Sequence, residues 1–354
     1  MEEAKYDTQS LMVTIRCLVY NHGPYLRQCL DGFVMQKTNF RFEAIVHDDV
    51  STDDSTAIIS EYAEKFPQII KPIFETENQY TKFDGSLTRV MNEHTHGKYI
   101  AFCEGDDCWT DPLKLQKQVD FLEQHPDYSL SHSDIDYEFV RENRILRKKH
   151  QHMNNYCLLN NNFTRQEMVK LILSGKYSIQ TLSVCARKDY IFQIYKDCPE
   201  IHSSKFKMGD TPLWIELSQR GKIHYLPEST ATYHIIDESA THSSNYSNVI
   251  SFCKSCFYMV DYFGGRYEFP LDLLNSIKNE YAYFLLRDIY FDKKEYLKEI
   301  QSEILNGFIL NIRNNLLLKS IDCPNLLKRL ILLSIKIRDR VEQRWKFYWL
   351  KFIR

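Results

Sequence analysis

The stretch GKYIAFCEGDDCWTDP, residues 97–112, decides the fold. Lys98 to Cys103 is a short apolar run of the kind that forms a strand buried on both faces. It stops at once in Glu104, Gly105, Asp106 and Asp107. Asp111 as cap, with Pro112 at the first helical position, then starts a helix to about Gln124. In open α/β sheets, ligands bind beyond the carboxyl ends of the strands, and this turn sets a cluster of acids there.

The same alternation repeats outward from that stretch. Leu11 to Tyr20 reads as a buried strand that ends in Asn-His-Gly-Pro, and Pro24 to Gln36 follows with Leu26, Leu30, Phe33 and Val34 at helical spacing. Phe42 to Val46 is a strand leading into Asp-Asp-Val-Ser-Thr-Asp-Asp-Ser-Thr, after which a helix runs to about Phe66. Ile69 to Phe74 is another strand, and Tyr128 to Val140 is extended. Strand and helix in turn, with short links, predict a mainly parallel sheet covered by helices. Residues 143–162 are polar, basic and Asn-rich, and read as a mobile loop. Further on come a helix near Gln166 to Leu173, a strand near Ser178 to Ala186, a helix near Thr211 to Arg220, and strands at Lys222–Leu226 and Thr230–Ile236. Beyond about Asn248 the pattern is helical, which divides the chain into an α/β domain, 1–245, and a helical region, 246–354.

Composition bounds the function. The 354 residues are 44% hydrophobic, enough for a sizeable core, which excludes intrinsic disorder as the main reading. With 45 Lys+Arg against 47 Asp+Glu the net charge is -2, so no global field favours nucleic acid. The acidic start MEEAKYDTQS is wrong for a signal peptide. No uncharged apolar run reaches the roughly 18 to 20 residues of a spanning helix. Ten cysteines scattered through apolar stretches predict reduced, buried thiols in a cytoplasmic protein. Cys253 and Cys256 lack a second pair at zinc spacing and read as helical neighbours. From Leu326 to Arg354, basic residues interleave with Trp345, Phe347, Tyr348 and Trp349. That pattern suits either a helix lying on the anionic inner face of the cell membrane or one packed on its own domain or on a second copy in a homodimer.

The acids carry the chemistry. Asp48 and Asp49 follow one strand, and Glu104, Asp106 and Asp107 another. Clustered carboxylates repel one another, and oxygen donors of this kind suit Mg²⁺ or Mn²⁺, which could neutralise a substrate diphosphate. Capping accounts well for Asp53 and Asp111 but poorly for Asp106 and Asp107.

These segments resemble a known family. Tyr20-Asn21, the 48–56 run, the 97–112 run and Lys114 to Leu122 together look like a family 2 glycosyltransferase of the GT-A fold, of the type that builds bacterial surface polysaccharide. The resemblance spans roughly residues 11–240. It implies an inverting transferase that uses a nucleotide-sugar donor, UDP-sugar first, and a glycan or lipid-linked acceptor. Tyr20 and Asn21 then line the nucleobase, and Asp49 accepts its ring N–H, a role Asp48 could share. Glu104, Gly105 and Asp106 occupy the Asp-x-Asp motif, with Glu104 on the ribose side and Asp106 on the metal. Arg89 lies near the diphosphate or is a surface arginine. Met208 to Trp214 resembles the second acidic motif, which makes Asp210 the general base, a role compatible with capping its helix. Trp109 and Trp214, beside the two motifs, either stack on a sugar face or pack in the core.

The segment Tyr233-His234-Ile235-Ile236-Asp237 departs from the family's Tyr-Arg-x-His pattern, with the histidine two positions early. His234 is accordingly either a metal ligand or structural. That departure leaves a rival reading, a catalytically weak member that binds nucleotide-sugar or scaffolds an assembly complex. A nucleotidyltransferase would carry a Gly-rich phosphate loop after the first strand, and an aspartyl phosphatase would carry Asp-x-Asp there; Val19-Tyr20-Asn21 is neither.

Overall fold

A computed structural model of the chain describes residues 10–147, 163–236, 246–290 and 294–335. The chain divides into two compact units, Met1–Ser239 and Ala240–Arg354.

The first unit is built on β1 (Leu11–Val19), whose Val13, Ile15, Cys17 and Val19 are buried in one apolar cluster. Thr14 and Arg16 between them are polar and equally covered. Thr14 donates to Glu43, and Arg16 donates to Thr95 and Asn92. Burial pushes the Arg16 guanidinium down to about 10. Pro24 opens α1 (Gly23–Val34), where its missing N–H costs nothing, and Leu26, Cys29, Leu30 and Phe33 face the core. Then follow β2 (Arg41–Asp48), α2 (Ser55–Lys65), β3 (Ile70–Phe74), α3 (Ser86–Glu93) and β4 (Tyr99–Phe102). Strands β3, β2, β1 and β4 lie side by side and all parallel. This is the sheet the alternation predicts.

Past β4 the sheet becomes mixed. The remaining elements of this unit are β5 (Cys108–Trp109), α4 (Lys114–Gln124), β6 (Tyr128–Phe139), β7 (Arg144–Leu146), α5 (Arg165–Leu173), β8 (Cys185–Arg187), α6 (Lys188–Asp197), α7 (Asp210–Arg220) and β9 (Lys222–Ile235). The order is β3-β2-β1-β4-β8-β6-β9-β5, with β7 on β6. Strand β8 joins β4 and β6 antiparallel, and β5 joins β9 antiparallel.

Several local expectations change. Residues 144–146 of the expected mobile loop form β7, while 148–162 lie outside the described residues. The expected strand from Ser178 shrinks to β8 behind a 3₁₀ turn at Thr181–Ser183. The two strands expected on either side of Pro227 are one, because β9 shifts register against β6 near that proline.

The second unit is helical among the described residues: α8 (Tyr246–Arg266), α9 (Leu271–Ile289), α10 (Leu297–Glu303) and α11 (Ile312–Lys319), with 325–335 also helical. Tyr246, Ile250, Cys253, Leu286, Ile289, Tyr290 and Leu317 form its core. Cys253 and Cys256 are buried neighbours in α8, and burial pushes the Cys253 thiol up to about 12. Lys328, counted among the cations of the tail, is instead buried and donates to the Tyr290 carbonyl at 2.7 Å. The rest of the tail, 336–354, lies outside the described residues.

Candidate active site

The site forms where β1, β2 and β4 end. Glu104, Asp106 and Asp107 leave β4 in a tight turn, and one carboxylate oxygen of each lies within 4.8 Å of the others. Gly105 lets this turn approach α1, since a Cβ there would meet His22 Nδ1 at 2.8 Å and Val19 at 2.9 Å. Half-burial, then the charges of Asp106 and Asp210, push the Glu104 carboxyl up to about 8. Burial first, then Asp106 and Glu104, raise Asp107 well above the carboxylate range. Asp107 Oδ2 is buried with no hydrogen-bond partner among the described residues. Like charges held this close, one of them with an unsatisfied buried oxygen, fit a divalent cation that neutralises them.

Asp210 belongs to the same electrostatic group through its effect on Glu104. It is the first residue of α7, and its Oδ1 accepts the Thr211 N–H at 2.6 Å. Its Oδ2 accepts the Thr181 hydroxyl at 2.8 Å. The Thr181 hydroxyl holds its rotamer. Strand β4 and helix α7, about a hundred residues apart, thus bring together the two acidic motifs read from the sequence.

The loop after β2 is a self-contained knot. Asp48 accepts from the Ser51 N–H at 3.1 Å and the Thr56 hydroxyl at 2.6 Å. Asp49 Oδ1 accepts the Gln79 N–H at 2.6 Å, and Oδ2 accepts the Tyr80 N–H at 3.0 Å. Asn21, in the left-handed region at φ 58°, accepts the Thr52 N–H and donates its own to Ser51. These residues therefore anchor the loops around the site. Tyr20 is 51% exposed. Arg89 is mostly exposed, and its guanidinium donates to the Asp84 carbonyl.

Two expectations are corrected by packing. Trp109 is 2% exposed, donates to the Leu182 carbonyl at 2.8 Å and meets Phe33 edge-on. Trp214 is 1% exposed and packs edge-on against Phe102. Core packing, the alternative to sugar stacking, describes both. His234 is not part of the three-carboxylate cluster. Its Nδ1 lies 2.5 Å from the Asp106 carbonyl, its Nε2 lies 3.4 Å from Glu138, and its ring stacks on Tyr25. With both ring nitrogens so placed, the metal contact expected of His234 gives way to clamping of the acidic loop.

Three neighbours of the site escaped the sequence reading. His22, in the turn after β1, has its Nδ1 4.0 Å from Asp106 Oδ1. Thr181 had no local signal. Tyr80 is linked to the cluster because partial burial, then the charge of Glu104, raise its phenol.

Residues 17–189 match the family model described as Glycosyl transferase family 2. Residues 17–189 form a glycosyl transferase family 2 domain. That match takes in the end of β1, the loop after β2 and the acidic turn after β4, and stops before Asp210. An uncharacterized protein of Mycobacterium tuberculosis is 33% identical over 234 residues, 66% of this chain and 61% of that one. The chain therefore spans less than two thirds of that relative. The putative teichuronic acid biosynthesis glycosyltransferase TuaG of Bacillus subtilis is 24% identical over 64% of this chain and 81% of its own. Among solved structures, S. aureus TarS 1–349 in complex with UDP superposes with a TM-score of 0.50 at 15% identity, covering 84% of this chain and 79% of that one. The likeness shows the GT-A fold of this chain.

Proposed function

We propose that this protein is an inverting glycosyltransferase. It moves a sugar, a hexose by our reading, from a nucleoside diphosphate donor, UDP-sugar first, to a hydroxyl of a glycan or lipid-linked acceptor in surface polysaccharide synthesis. The observation that carries the reading is the electrostatic grouping of the Glu104–Asp107 turn with Asp210 at the ends of the strands. The names of relatives support its biology: TuaG, and an Escherichia coli protein named UDP-Glc:alpha-D-GlcNAc-diphosphoundecaprenol beta-1,3-glucosyltransferase WfaP, 29% identical over 36% of this chain and 49% of its own.

In this reading Tyr20 lines the nucleobase, while Asp49, aided by Asp48 and Asn21, shapes the pocket edge. Glu104 faces the ribose, and Arg89 reaches toward the diphosphate. Asp106, with Glu104 and Asp107 around it, holds Mn²⁺ or Mg²⁺. When bound, that ion supplies charge neutralisation to the departing diphosphate. Asp210 takes the proton of the acceptor hydroxyl, which attacks the anomeric carbon opposite the leaving group, and one displacement inverts the centre. The GT-A domain, 1–245, carries all these groups.

No helix among the described residues is long and apolar enough to cross a membrane. Leu326, Leu330 and Leu333 are exposed at helical spacing in the first part of the basic aromatic tail. We read this end as a peripheral contact with the inner face of the cell membrane, where a lipid-linked acceptor would be met. The test is release of nucleoside diphosphate from UDP-, dTDP- and GDP-sugars with crude lipid and glycan acceptors. Release that needs Mn²⁺ or Mg²⁺ and is lost in Asp106→Ala and Asp210→Asn supports the transferase. Donor binding without turnover under any acceptor would favour the scaffold reading, which the altered segment around His234 motivates.

A further inference from the structure

The Asp106 carboxylate accepts no hydrogen bond among the described residues, although its main chain is held by His234. The nitrogen facing it, His22 Nδ1, is inaccessible to solvent and has no hydrogen-bond partner among the described residues. A buried ring nitrogen left unpaired is unfavourable, and proteins rarely keep one without a use. The main chain that carries the ring is fixed. The His22 N–H donates to Ser55 Oγ at 3.1 Å, and its carbonyl accepts the Tyr25 and Leu26 amides, each at 2.9 Å, as α1 begins. Only the missing side chain of Gly105 allows the imidazole and the acidic turn to sit this close.

The 4.0 Å gap exceeds a hydrogen bond by about 1 Å, a distance that a modest rotation of a partly exposed carboxylate covers. Carboxylates that bind metals are themselves oriented by hydrogen bonds, and removing such a partner typically lowers metal affinity about 10- to 100-fold. We propose that His22 is the positioning residue for Asp106: its Nδ1–H donates to the carboxylate as that group turns to bind the divalent cation. The inference rests on the reading of Glu104, Asp106 and Asp107 as the cation site. A neutral imidazole suffices for it. His234 then fixes the backbone of Asp106 while His22 fixes its side chain.

The experiment is Mn²⁺ binding to the full chain, followed by electron paramagnetic resonance of the free ion, with folding checked by thermal melts. His22→Ala weakens binding about 10- to 100-fold. His22→Asn, whose amide nitrogen can fall near the place of Nδ1, restores it to within about threefold, whereas His22→Gln, whose amide reaches toward Nε2, does not. Wild-type affinity in His22→Ala overturns the inference and leaves the cation site standing. Equal binding by the Asn and Gln variants also overturns it, and that comparison survives even if the alanine variant fails to fold. A wild-type chain that binds no Mn²⁺ overturns the cation reading and this inference with it.

Discussion

His234 Nδ1 lies 2.5 Å from the main-chain carbonyl of Asp106, and the N–H of the same residue donates to Asp107 Oδ1 at 3.2 Å. Strand β9 thereby holds the acidic turn at two adjacent residues. His234→Ala removes the ring and leaves a buried carbonyl unpaired, so a loss of about 1–3 kcal/mol is expected. Urea unfolding checks this. In Mn²⁺-loaded protein, ¹⁴N hyperfine coupling that vanishes in His234→Ala would mean direct ligation and contradict the clamp.

Thr181 orients Asp210. Thr181→Val keeps shape but removes the hydroxyl that donates to Oδ2. A hydrogen bond to a charged group is worth about 1.5–3 kcal/mol, so turnover should drop about tenfold or more. Donor affinity should stay unchanged, because Thr181 meets the base and not the donor acids. Steady-state kinetics beside donor titration separate the two effects.

Asp49→Asn is nearly isosteric but should destabilise. Each carboxylate oxygen accepts a main-chain N–H, from Gln79 and from Tyr80. An amide can accept only one of them and turns its own N–H₂ toward the other. A cost of about 1–3 kcal/mol is expected, together with weaker donor binding as the Tyr80 loop loosens.

The pH dependence follows from Glu104. Unfolded, it titrates near its ordinary 4.5; folded, burial and then the charges of Asp106 and Asp210 push it up to about 8. Between those values the folded state holds more protons than the unfolded one. Without metal, stability therefore falls as pH rises from about 4.5 to about 8, and this contribution then levels off. Asp107 acts in the same sense. Glu104→Gln should flatten the fall in melting temperature between pH 5 and 9, and protection by Mn²⁺ should grow across that window. Parallel curves for variant and wild type would contradict this origin.

The parallel half of the sheet was legible because Val13, Ile15 and Cys17, or Leu26, Leu30 and Phe33, announce their element within ten residues. Strand β5 was not, and β8 was expected several residues too long, since two or three residues carry no clear period and their places are set by antiparallel pairing with distant strands. Asp106 stood out as an acid that capping explains poorly, and Asp210 came from the resemblance of residues 208–214 to the family's second acidic motif. His22 and Thr181 reach the same acids only through the tertiary fold, and a turn histidine and a lone threonine look ordinary in a string of letters. The tryptophans misled for the converse reason: adjacency to a motif does not say which side of the chain faces the site.

The most direct test is calorimetric titration of the preferred nucleotide-sugar, with Mn²⁺, into the wild type, Asp106→Ala and Asp210→Asn. The account predicts that Asp210→Asn binds donor as the wild type does while failing to turn it over, and that Asp106→Ala binds it far more weakly. Wild-type donor binding by Asp106→Ala, or loss of donor binding in Asp210→Asn, would contradict the division of labour between the two acids.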